Sequence, residues 1–356
     1  MAQDLLPASR ASRAACTALV IGRWQLPHRG HVRLLHEALK LSDDVLIAIG
    51  SAFRSRDARN PFTWMERKAM LLASLTEAQR ACVRFLPIRD YGDDDRWNAK
   101  LAELVQGAGA RSQVVVVGHE KDASSYYLRN LPWQVVRVEE KFEDLDATAL
   151  RDVYFGATSL EAALQVLEPC VAPGTLAYLQ AWAKLPPYRM LQEQHAAVQP
   201  YQSQWGKGPF LTADALVRVN TPQGARVLMV RRGGVFGRNL LALPGGFVEP
   251  GERFFQAALR ELFEETGLNL WIEQAKACFR GTLTLDAPER SVRGRIVSQV
   301  HYFDLGDHKT PPEVRREGSS DAIAASWPLL AEIGEHQESV FEDHILAIEH
   351  FCGHFE

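Results

Sequence analysis

One stretch of the chain, residues 243–268, constrains the fold most because it concentrates carboxylates on one face of a predicted helix. The helix is expected over residues 254–266, and Glu261, Glu264 and Glu265 stand on it at spacings of i, i+3 and i+4, so they share one face. Like charges at these spacings repel each other and lower helix stability. A bound divalent metal ion, which prefers carboxylate oxygens, would offset this repulsion. The alternative is a solvated acidic helix face.

A glycine-rich loop precedes this helix and carries a fourth carboxylate, Glu252. Glycine permits tight turns because it lacks a Cβ atom, so the loop can bring Glu252 over the acidic helix face. Arg260 is the cation of this cluster, and we expect it to pair with a glutamate and fix its rotamer. The predicted metal ligands are therefore Glu252, Glu261, Glu264 and Glu265.

The spacing of the whole stretch is similar to the Nudix box at every fixed position. The matching positions are Gly246, Glu252, Arg260, Glu261, Glu264, Glu265 and Gly267, with Leu262 and Leu268 at the two aliphatic positions. The resemblance implies Mg²⁺-dependent attack of water on a diphosphate linked to a nucleoside, with Mn²⁺ as a substitute for Mg²⁺. It also implies that Glu264 and Glu265 are catalytic as well as metal ligands.

Length, charge and cysteine content limit the class of protein further. A chain of 356 residues predicts two domains, and a net charge of −4 gives no reason to expect nucleic-acid binding. Five dispersed cysteines without metal-ligand spacing suit free thiols in the cytoplasm. No apolar run in the sequence reaches the roughly 18 residues of a membrane span, so we expect no membrane partner. We expect residues 1–15 to form a flexible tail, with a transit peptide as the alternative.

The first half of the chain alternates short apolar strands with helices. Strands are predicted over residues 17–21, 45–50, 83–88 and 114–117, and helices from residue 32, over 63–75 and over 97–105. Thr63 and Glu66 have the spacing of a capping box. This alternation predicts an α/β domain with a parallel sheet, which binds its ligands at the carboxyl ends of the strands.

Two histidines stand where the first predicted strand passes into a helix, in the motif His28-x-Gly30-His31. A helix N-terminus attracts phosphate through its free amides and its dipole, and Gly30 lets the backbone approach closely. Both imidazoles can donate hydrogen bonds to phosphate oxygens as charge develops on them. This context is similar to the nucleotidyltransferases with the His-x-Gly-His signature, which implies ATP binding and nucleotidyl transfer without covalent catalysis.

Further segments resemble the archaeal-type nicotinamide mononucleotide adenylyltransferases, over about residues 17–188. The matching segments are Gly22-Arg23-Trp24-Gln25, Gly50-Ser51-Ala52, Asn60-Pro61-Phe62-Thr63 with Glu66-Arg67, Gly118-His119-Glu120-Lys121-Asp122 with Ser124, Ser125 and Tyr127, and Leu145 to Arg151. Two positions depart from the family pattern, since Asp146 replaces a serine and Pro27 comes one place late. The resemblance implies a Rossmann-like domain that joins ATP and nicotinamide mononucleotide into NAD.

Together with the need for an aromatic plane against nicotinamide, this resemblance implies a set of site residues. The predicted catalytic residues are His28, His31 and Arg151. The predicted substrate-binding residues are Gly22, Arg23, Gln25, Asn60, Trp97, Gly118, Lys121, Asp122 and Thr148. Trp97 is the stacking candidate, with a core or interface tryptophan as the alternative. Thr148 and Arg151 would hold the triphosphate at a helix start, with a plain helix cap as the alternative.

The second half of the chain is expected to build a mixed sheet around the Nudix box. Strands are predicted over residues 210–219, 226–230, 277–285 and 296–305, and a closing helix over 340–351. The loop of residues 286–295 contains Arg290, Arg293 and Arg295, and we expect their guanidinium groups to bind phosphate. A solvated turn is the alternative. This part resembles the ADP-ribose pyrophosphatases that are fused to the adenylyltransferase. The candidates for its general base are Glu313, Glu317 and Asp321, and the sequence does not choose among them.

The sequence thus predicts an α/β protein: a Rossmann-like nucleotidyltransferase domain with a parallel sheet (16–188), a linker (189–208) and a Nudix α/β/α domain with a mixed sheet (209–356). The expected reactions are adenylyl transfer from ATP to nicotinamide mononucleotide, giving NAD and pyrophosphate, and hydrolysis of ADP-ribose to AMP and ribose 5-phosphate. Three alternatives stay open: another phosphorylated acceptor, cleavage of NADH or another dinucleotide, and a ligand-sensing Nudix-like domain that no longer cleaves. The sequence does not decide whether the chain forms a homo-oligomer.

Overall fold

The computed structural model describes residues 16–118, 131–138, 145–314 and 322–355. Contacts between residues divide the chain into two compact units. The first takes in Met1–Ala52 and Pro61–Gln192, and the second takes in Phe53–Asn60 and Glu193–Glu356. Each unit is built around its own sheet system.

A five-stranded parallel sheet forms the centre of the first unit. Its strands are β1 (Cys16–Gly22), β2 (Val45–Ile49), β3 (Val83–Pro87), β4 (Gln113–Gly118) and β5 (Gln134–Arg137). The helices are α1 (Arg29–Leu41), α2 (Trp64–Ala73), α3 (Glu77–Arg80), α4 (Asp94–Gly107), α5 (Ala147–Gly156), α6 (Leu160–Leu167), α7 (Pro173–Trp182) and α8 (Pro186–Trp205), and the unit boundary falls within α8. The strand order is β3-β2-β1-β4-β5, with every pair parallel. This confirms the predicted Rossmann-like α/β fold.

Successive residues of β1 pack into different hydrophobic clusters. Ala18 and Val20 belong to one cluster and Leu19 belongs to another, and all three are fully buried. Side chains alternate between the two faces of a strand, and helices cover both faces of a parallel sheet. The continuous apolar runs in the sequence are therefore those of strands that are buried on both sides.

One buried arginine ties the carboxyl end of β1 to that of β2. Arg67 of α2 donates to the backbone carbonyl of Arg23, which follows β1. It also donates to the carbonyls of Gly50 and Ser51, which follow β2. The two loops that begin at this edge of the sheet therefore share one donor group.

Helix starts in the first unit follow capping chemistry. The capping box predicted at Thr63 and Glu66 is present and opens α2. The unpredicted helix α6 is capped by the side chain of Ser159, and α7 begins at Pro173. Strand β5 was missed as well, because four residues with exposed ends are too few to show a strand period.

Helix α8 corrects the prediction made around two adjacent prolines. Helix α7 ends at Trp182, before Pro186 and Pro187, but residues 189–208 were expected to form a linker. Instead α8 begins at these prolines and continues to Trp205. Proline is tolerated in the first helical turn, because the N–H it lacks would have no intrahelical partner there. Leu191 of α8 is fully buried in a cluster of the first unit, so this helix adds to a hydrophobic core.

Two sheets form the frame of the second unit. Its strands are β6 (Phe210–Thr221), β7 (Gly224–Val227), β8 (Met229–Arg232), β9 (Leu241–Ala242), β10 (Gly245–Phe247), β11 (Phe279–Leu285), β12 (Ile296–Asp307) and β13 (Ala322–Ser326). Its further helices are α9 (Phe254–Thr266), α10 (Ile272–Cys278), α11 (Leu330–Glu335) and α12 (His344–Cys352). One sheet has the order β10-β6-β12-β11, with β7 also on β6, and the other has the order β13-β8-β9. Because β6 and β12 pair in parallel while their other neighbours are antiparallel, the predicted mixed sheet is confirmed.

The predicted strand over residues 226–230 divides between the two sheets. Strand β7 pairs with β6, as expected, whereas β8 pairs with β9 and β13. Leu228 lies between them and is fully buried. Alternate residues of this run enter different hydrophobic clusters, Val227 with Met229 and Leu228 with Val230. The sequence pattern of this apolar run therefore predicts one strand, although the chain passes from one sheet to the other within it.

Helix α9 has the bounds that the sequence predicted, and the closing helix is shorter than predicted. Residues 340–343 precede α12 instead of forming its first turn, because Val340 forms a bridge to Leu241. Among the residues described, no helix combines the length and the apolar character needed to cross a bilayer. All five cysteines are free thiols, as expected.

Candidate active sites

The two histidines of the first unit stack at the N-terminus of α1. Their ring centroids are 3.7 Å apart, and His28 is the N-cap while His31 is the third helical residue. The backbone N–H of His28 donates to Nδ1 of His31 at 3.3 Å, so the neutral His31 ring carries its proton on Nε2 and can donate from there. The structure thus brings both imidazoles to the helix end that favours phosphate.

The loop that leads to these histidines is fixed from within. The side-chain amide of Gln25 donates to the carbonyl of Phe62 at 2.9 Å and accepts from its N–H at 3.1 Å. A Cβ atom on Gly22 would come within 2.9 Å of the Trp24 ring. The loop is therefore shaped by Gly22, Gln25 and the carbonyl of Arg23. The contact of these residues with substrate stays a prediction.

Arg151 joins this loop to the start of α5. Its guanidinium is buried and donates to the carbonyl of Gln25 and, at 3.0 Å, to Oγ1 of Thr148. Asp146, which departs from the family pattern, accepts from the N–H of Thr148 at 2.6 Å as the N-cap of α5. Aspartate serves as well as serine in this role, because an N-cap needs only a side-chain oxygen. The structure brings Arg151 and Thr148 together with the histidine loop.

The remaining predicted residues of the first reaction have contacts of their own. Asn60 donates to Oδ1 of Asp57 at 3.2 Å, and Gly118 is the last residue of β4. Trp97 packs against a hydrophobic cluster that includes Leu101, which is what the core alternative expects; its stacking on nicotinamide stays a prediction. Lys121 and Asp122 lie outside the described residues.

Arg260 pairs with glutamates of the predicted metal site, as expected, and it contacts three of them rather than one. Its Nε donates to Oε1 of Glu252 at 3.0 Å, and its Nη1 donates to Glu261 at 2.7 Å and to Glu264 at 3.1 Å. The hydrogen bond to Glu252 raises the pKa of Arg260 and lowers that of Glu252. Three of the four carboxylates therefore converge on one side-chain cation, and the expected repulsion is compensated.

Glu265 is the fourth carboxylate, and it is buried. Its Oε2 accepts the backbone N–H of Gly245 at 3.0 Å. Burial raises the pKa of Glu265 to about 8; the charges of Glu261 and Asp214 act in the same direction, while the N–H of Gly245 and the charge of Arg232 oppose it. At neutral pH, without a bound metal ion, the raised pKa favours the protonated carboxyl.

Two glycines of the loop pack closely against their neighbours. A Cβ atom on Gly245 would come within 2.1 Å of Oδ1 of Asp214 and within 2.6 Å of the backbone carbonyl of Ala213, so the backbone of β6 requires a glycine there. A Cβ atom on Gly246 would come within 2.4 Å of Oε1 of Glu261, and that carboxylate would have to move away.

The donor set fits a divalent cation. Carboxylate oxygens are the ligands that Mg²⁺ and Mn²⁺ prefer, and a cation would favour the charged form of Glu265. Within the described ranges, no group of three or more histidine, cysteine or acidic side chains is arranged to hold a metal ion. Arg260 bridges Glu252, Glu261 and Glu264 in this arrangement, so a metal ion bound by these carboxylates would replace part of its ion pairs.

The three arginines of the loop 286–295 differ in their surroundings. Arg290 is buried and forms a two-pronged ion pair with Asp343, with N–O distances of 2.6 to 3.1 Å. Arg293 lies 3.5 Å from Oε1 of Glu342, and Arg295 donates to the carbonyl of Asp286. The sequence did not show that Arg290 faces the interior, and its contact with phosphate stays a prediction.

Sequence reasoning missed two buried groups beside the glutamates. Asp214 of β6 accepts a hydrogen bond from Ser298, and burial raises its pKa to about 6. His344 accepts the backbone N–H of Leu243 through Nδ1 at 3.0 Å. A carboxylate in the middle of a predicted strand was the available signal for Asp214, whereas His344 lies in the predicted closing helix after two acidic residues, and nothing local marks it as buried. Glu313, the candidate base within the described residues, is exposed; Glu317 and Asp321 lie outside them.

Comparisons with known families agree with this geometry. The Cytidylyltransferase-like family matches residues 19–149, and the NUDIX domain family matches residues 210–348. A nicotinamide/nicotinic acid mononucleotide adenylyltransferase of Acinetobacter baylyi is 35% identical over 179 residues, which are 50% of this chain and 92% of that protein.

Two solved structures are similar to the chain over almost its whole length. A bifunctional NMN adenylyltransferase/ADP ribose pyrophosphatase from Francisella tularensis is 32% identical, with 96% of this chain and 100% of that chain covered and a TM-score of 0.84. A second structure of such a protein from the same organism, complexed with AMP and a Mn ion, is also 32% identical, with 95% and 99% covered and a TM-score of 0.83. These similarities take in both units.

Proposed function

Because this chain belongs to the family of bifunctional proteins that join a nicotinamide mononucleotide adenylyltransferase to a Nudix pyrophosphatase, we propose that it forms NAD and hydrolyses ADP-ribose. The first activity uses ATP and nicotinamide mononucleotide and releases pyrophosphate. The second gives AMP and ribose 5-phosphate. The observation that carries the proposal is the convergence of Glu252, Glu261 and Glu264 on Arg260, with Glu265 at the adjoining glycine loop.

In the first reaction, the 5′-phosphate of nicotinamide mononucleotide attacks the α-phosphorus of ATP. His28 and His31, stacked at the start of α1, donate to phosphate oxygens on which charge develops. Arg151 and Thr148, joined by a hydrogen bond, hold the triphosphate at the start of α5. Catalysis of this kind consists mainly of positioning and charge stabilisation. The hydrogen bonds of Gln25 and Arg67 to the loop backbone contribute to the positioning because they hold the loops in place.

In the second reaction, water attacks a phosphorus atom of the diphosphate. Glu252, Glu261, Glu264 and Glu265 would hold Mg²⁺, or Mn²⁺ in its place, and Arg260 keeps three of these carboxylates in place without it. When bound, the ion would supply neutralisation of phosphate charge and activation of the water. Arg293 and Arg295 of the neighbouring loop offer donors for the diphosphate.

Location, partners and domain limits belong to the same proposal. We place the protein in the cytoplasm, since its five cysteines are all free thiols. Its partners are ATP, nicotinamide mononucleotide, NAD and ADP-ribose, with no nucleic acid. The proposed domains are residues 16–188 and 209–356. A homo-oligomer is a separate expectation that a sedimentation measurement tests.

A substrate panel on the full chain tests both activities. The acceptors are nicotinamide mononucleotide, phosphopantetheine and glycerol phosphate with ATP; the hydrolysis substrates are ADP-ribose, NADH and a diadenosine polyphosphate. We expect nicotinamide mononucleotide and ADP-ribose to give the highest kcat/KM, and excess chelator to abolish hydrolysis. Hydrolysis in water labelled with heavy oxygen should place the label on a phosphate product. A preference for another acceptor or dinucleotide would refute the corresponding half, and ADP-ribose binding without cleavage would indicate a sensing domain.

A further inference from the structure

The segment that precedes α12 lies alongside the strand that leads into the Nudix box. The N–H of Phe341 donates to the carbonyl of Leu241 at 2.8 Å, and Val340 forms a parallel bridge to Leu241. Two residues after Leu241, just beyond this strand, the N–H of Leu243 donates to Nδ1 of His344 at 3.0 Å. The residues just before the glycine loop are thus held by a distant part of the chain.

His344 is suited to act as a permanent acceptor in this contact. Its side chain is buried, and burial lowers its pKa to about 3, with the positive charge of Arg290 acting in the same direction and the charge of Asp343 opposing. Arg232 and Arg293 also lower it. The ring is therefore neutral at physiological pH, with its proton on Nε2 and a lone pair on Nδ1.

The neighbours of His344 are held in turn by arginines. Asp343 receives three hydrogen bonds from Arg290, and both side chains are buried. The guanidinium of Arg232 lies over the ring of Phe341, 4.1 Å from the ring centroid. A buried ion pair on one side and a cation–π contact on the other leave the backbone before α12 little freedom to shift.

The contact of His344 leads directly to the buried glutamate. In the run Leu243-Pro244-Gly245, the first N–H is bound by His344 and the last N–H is bound by Oε2 of Glu265. Between them, the carbonyl of Pro244 accepts from the N–H of Ala215 at 2.8 Å. Three hydrogen bonds therefore fix this run. His344 binds the peptide group between residues 242 and 243, and the other two bonds hold the peptide group between residues 244 and 245.

We propose that His344 is a positioning residue of the Nudix site, which fixes the peptide run 243–245 through Nδ1 and thereby the placement of the Glu265 carboxylate. The residue touches neither substrate nor metal in this role. Its loss leaves a buried N–H without an acceptor, and the loop has to move to satisfy it. The kinetic part of the proposal rests on the proposed hydrolysis of ADP-ribose, whereas the cation-binding part does not.

Two substitutions of one residue separate the acceptor from the bulk of the ring. His344→Asn keeps an acceptor, since the amide oxygen can take the place of Nδ1; His344→Leu keeps similar volume without an acceptor. The same change at the exposed His308, His308→Leu, is the control for loss of an imidazole. For each full-length variant, the measurements are kcat and KM for ADP-ribose, Mn²⁺ affinity by calorimetry, the melting temperature and NAD synthesis.

We expect His344→Leu to lose about 10–100-fold in Mn²⁺ affinity or kcat, the usual effect of removing a group that orients a metal ligand. KM for ADP-ribose should change little, and NAD synthesis should stay at the parental rate. His344→Asn should recover most of the loss, and His308→Leu should match the parent. If His344→Leu keeps both parental kcat and parental Mn²⁺ affinity, or if His344→Asn is as impaired as His344→Leu, the proposal is overturned.

Two further results keep the test decisive. Nitrogen-15 NMR of the parent protein should show an unprotonated Nδ1 on His344 from about pH 5 to pH 8; a protonated Nδ1 would refute the contact even if the leucine variant fails to fold. A parent chain that does not cleave ADP-ribose, while the two variants still differ in Mn²⁺ affinity, would refute the proposed hydrolysis and leave the positioning role standing.

Discussion

The backbone N–H of Gly245 donates to Oε2 of Glu265 at 3.0 Å, so the glycine loop and helix α9 contact each other directly. The contact needs a glycine, because a Cβ atom at this position would lie 2.1 Å from Oδ1 of Asp214. The buried carboxyl gains a donor from the loop, yet burial raises its pKa to about 8 against the opposing charge of Arg232. A metal ion bound at this site, as proposed above, would favour the charged form of the carboxyl.

Gly245→Ala should impair the Nudix half of the protein. The added methyl group has to displace Asp214 or the backbone of β6, and overpacking of this kind costs about 1–3 kcal/mol. We expect a lower melting temperature and a loss of ADP-ribose hydrolysis, with NAD synthesis retained. Gly234→Ala is the matched control, since no atom lies within 4 Å of its added methyl group. A Gly245→Ala protein that is as active and as stable as the parent would mean that the loop does not pack as described.

Glu265→Gln should weaken metal binding and slow hydrolysis. The change keeps the shape of the side chain but removes the charge that binds the cation, and the rate should fall about 10²–10⁴-fold if Glu265 also assists the activation of water. The measurements are kcat for ADP-ribose and the Mn²⁺ affinity. Glu273→Gln, an exposed acidic residue of α10, should leave both unchanged. Equal rates for Glu265→Gln and the parent would show that the acidic cluster has no role in hydrolysis and is only a solvated helix face.

The same variant should be more stable than the parent when metal is removed, and increasingly so as the pH rises. Because the folded pKa of Glu265, about 8, exceeds its ordinary value of 4.5, the group stabilises the folded state at low pH, and this contribution is lost as the pH rises from about 4.5 to about 8. The loss is on the order of several kcal/mol, and glutamine avoids it. Urea unfolding in chelator at about pH 5 and about pH 8 measures the difference between the two proteins. A difference that is independent of pH would contradict the raised pKa.

His31→Ala should remove a donor from the adenylyl-transfer site. Loss of one donor to developing charge lowers turnover about 10²–10³-fold, so NAD formation should fall that far while ADP-ribose hydrolysis continues at the parental rate. His36→Ala, on the same helix but outside the stacked pair, is the control. If NAD is made equally fast by the His31 variant, the histidines do not serve the phosphates.

The parts of the structure that could be predicted are those in which local pattern and physics agree. Helix α9 has the expected bounds because its apolar residues and its Gly267 C-cap are local signals. The parallel order of β1 to β4 follows from buried apolar runs separated by helices. The start of α8 was misjudged because a proline pair ends some helices and begins others, and only the following turns decide which. The 226–230 run was misjudged because a strand that is buried on both faces shows no period of two.

For the sites, the sequence by itself determined which residues are present: the four glutamates with Arg260 among them, the histidine pair at a helix start, and the glycines before the Nudix helix. These are neighbours in the chain, so their spacing already places them on one face or one loop. Only the tertiary structure decided that Arg290 forms an ion pair with Asp343 and that Asp214 lies against Gly245. It also decided that His344 accepts the N–H of Leu243, about a hundred residues away in the chain. Burial and long-range hydrogen bonds depend on which segments the hydrophobic core brings together, and no local spacing carries that information.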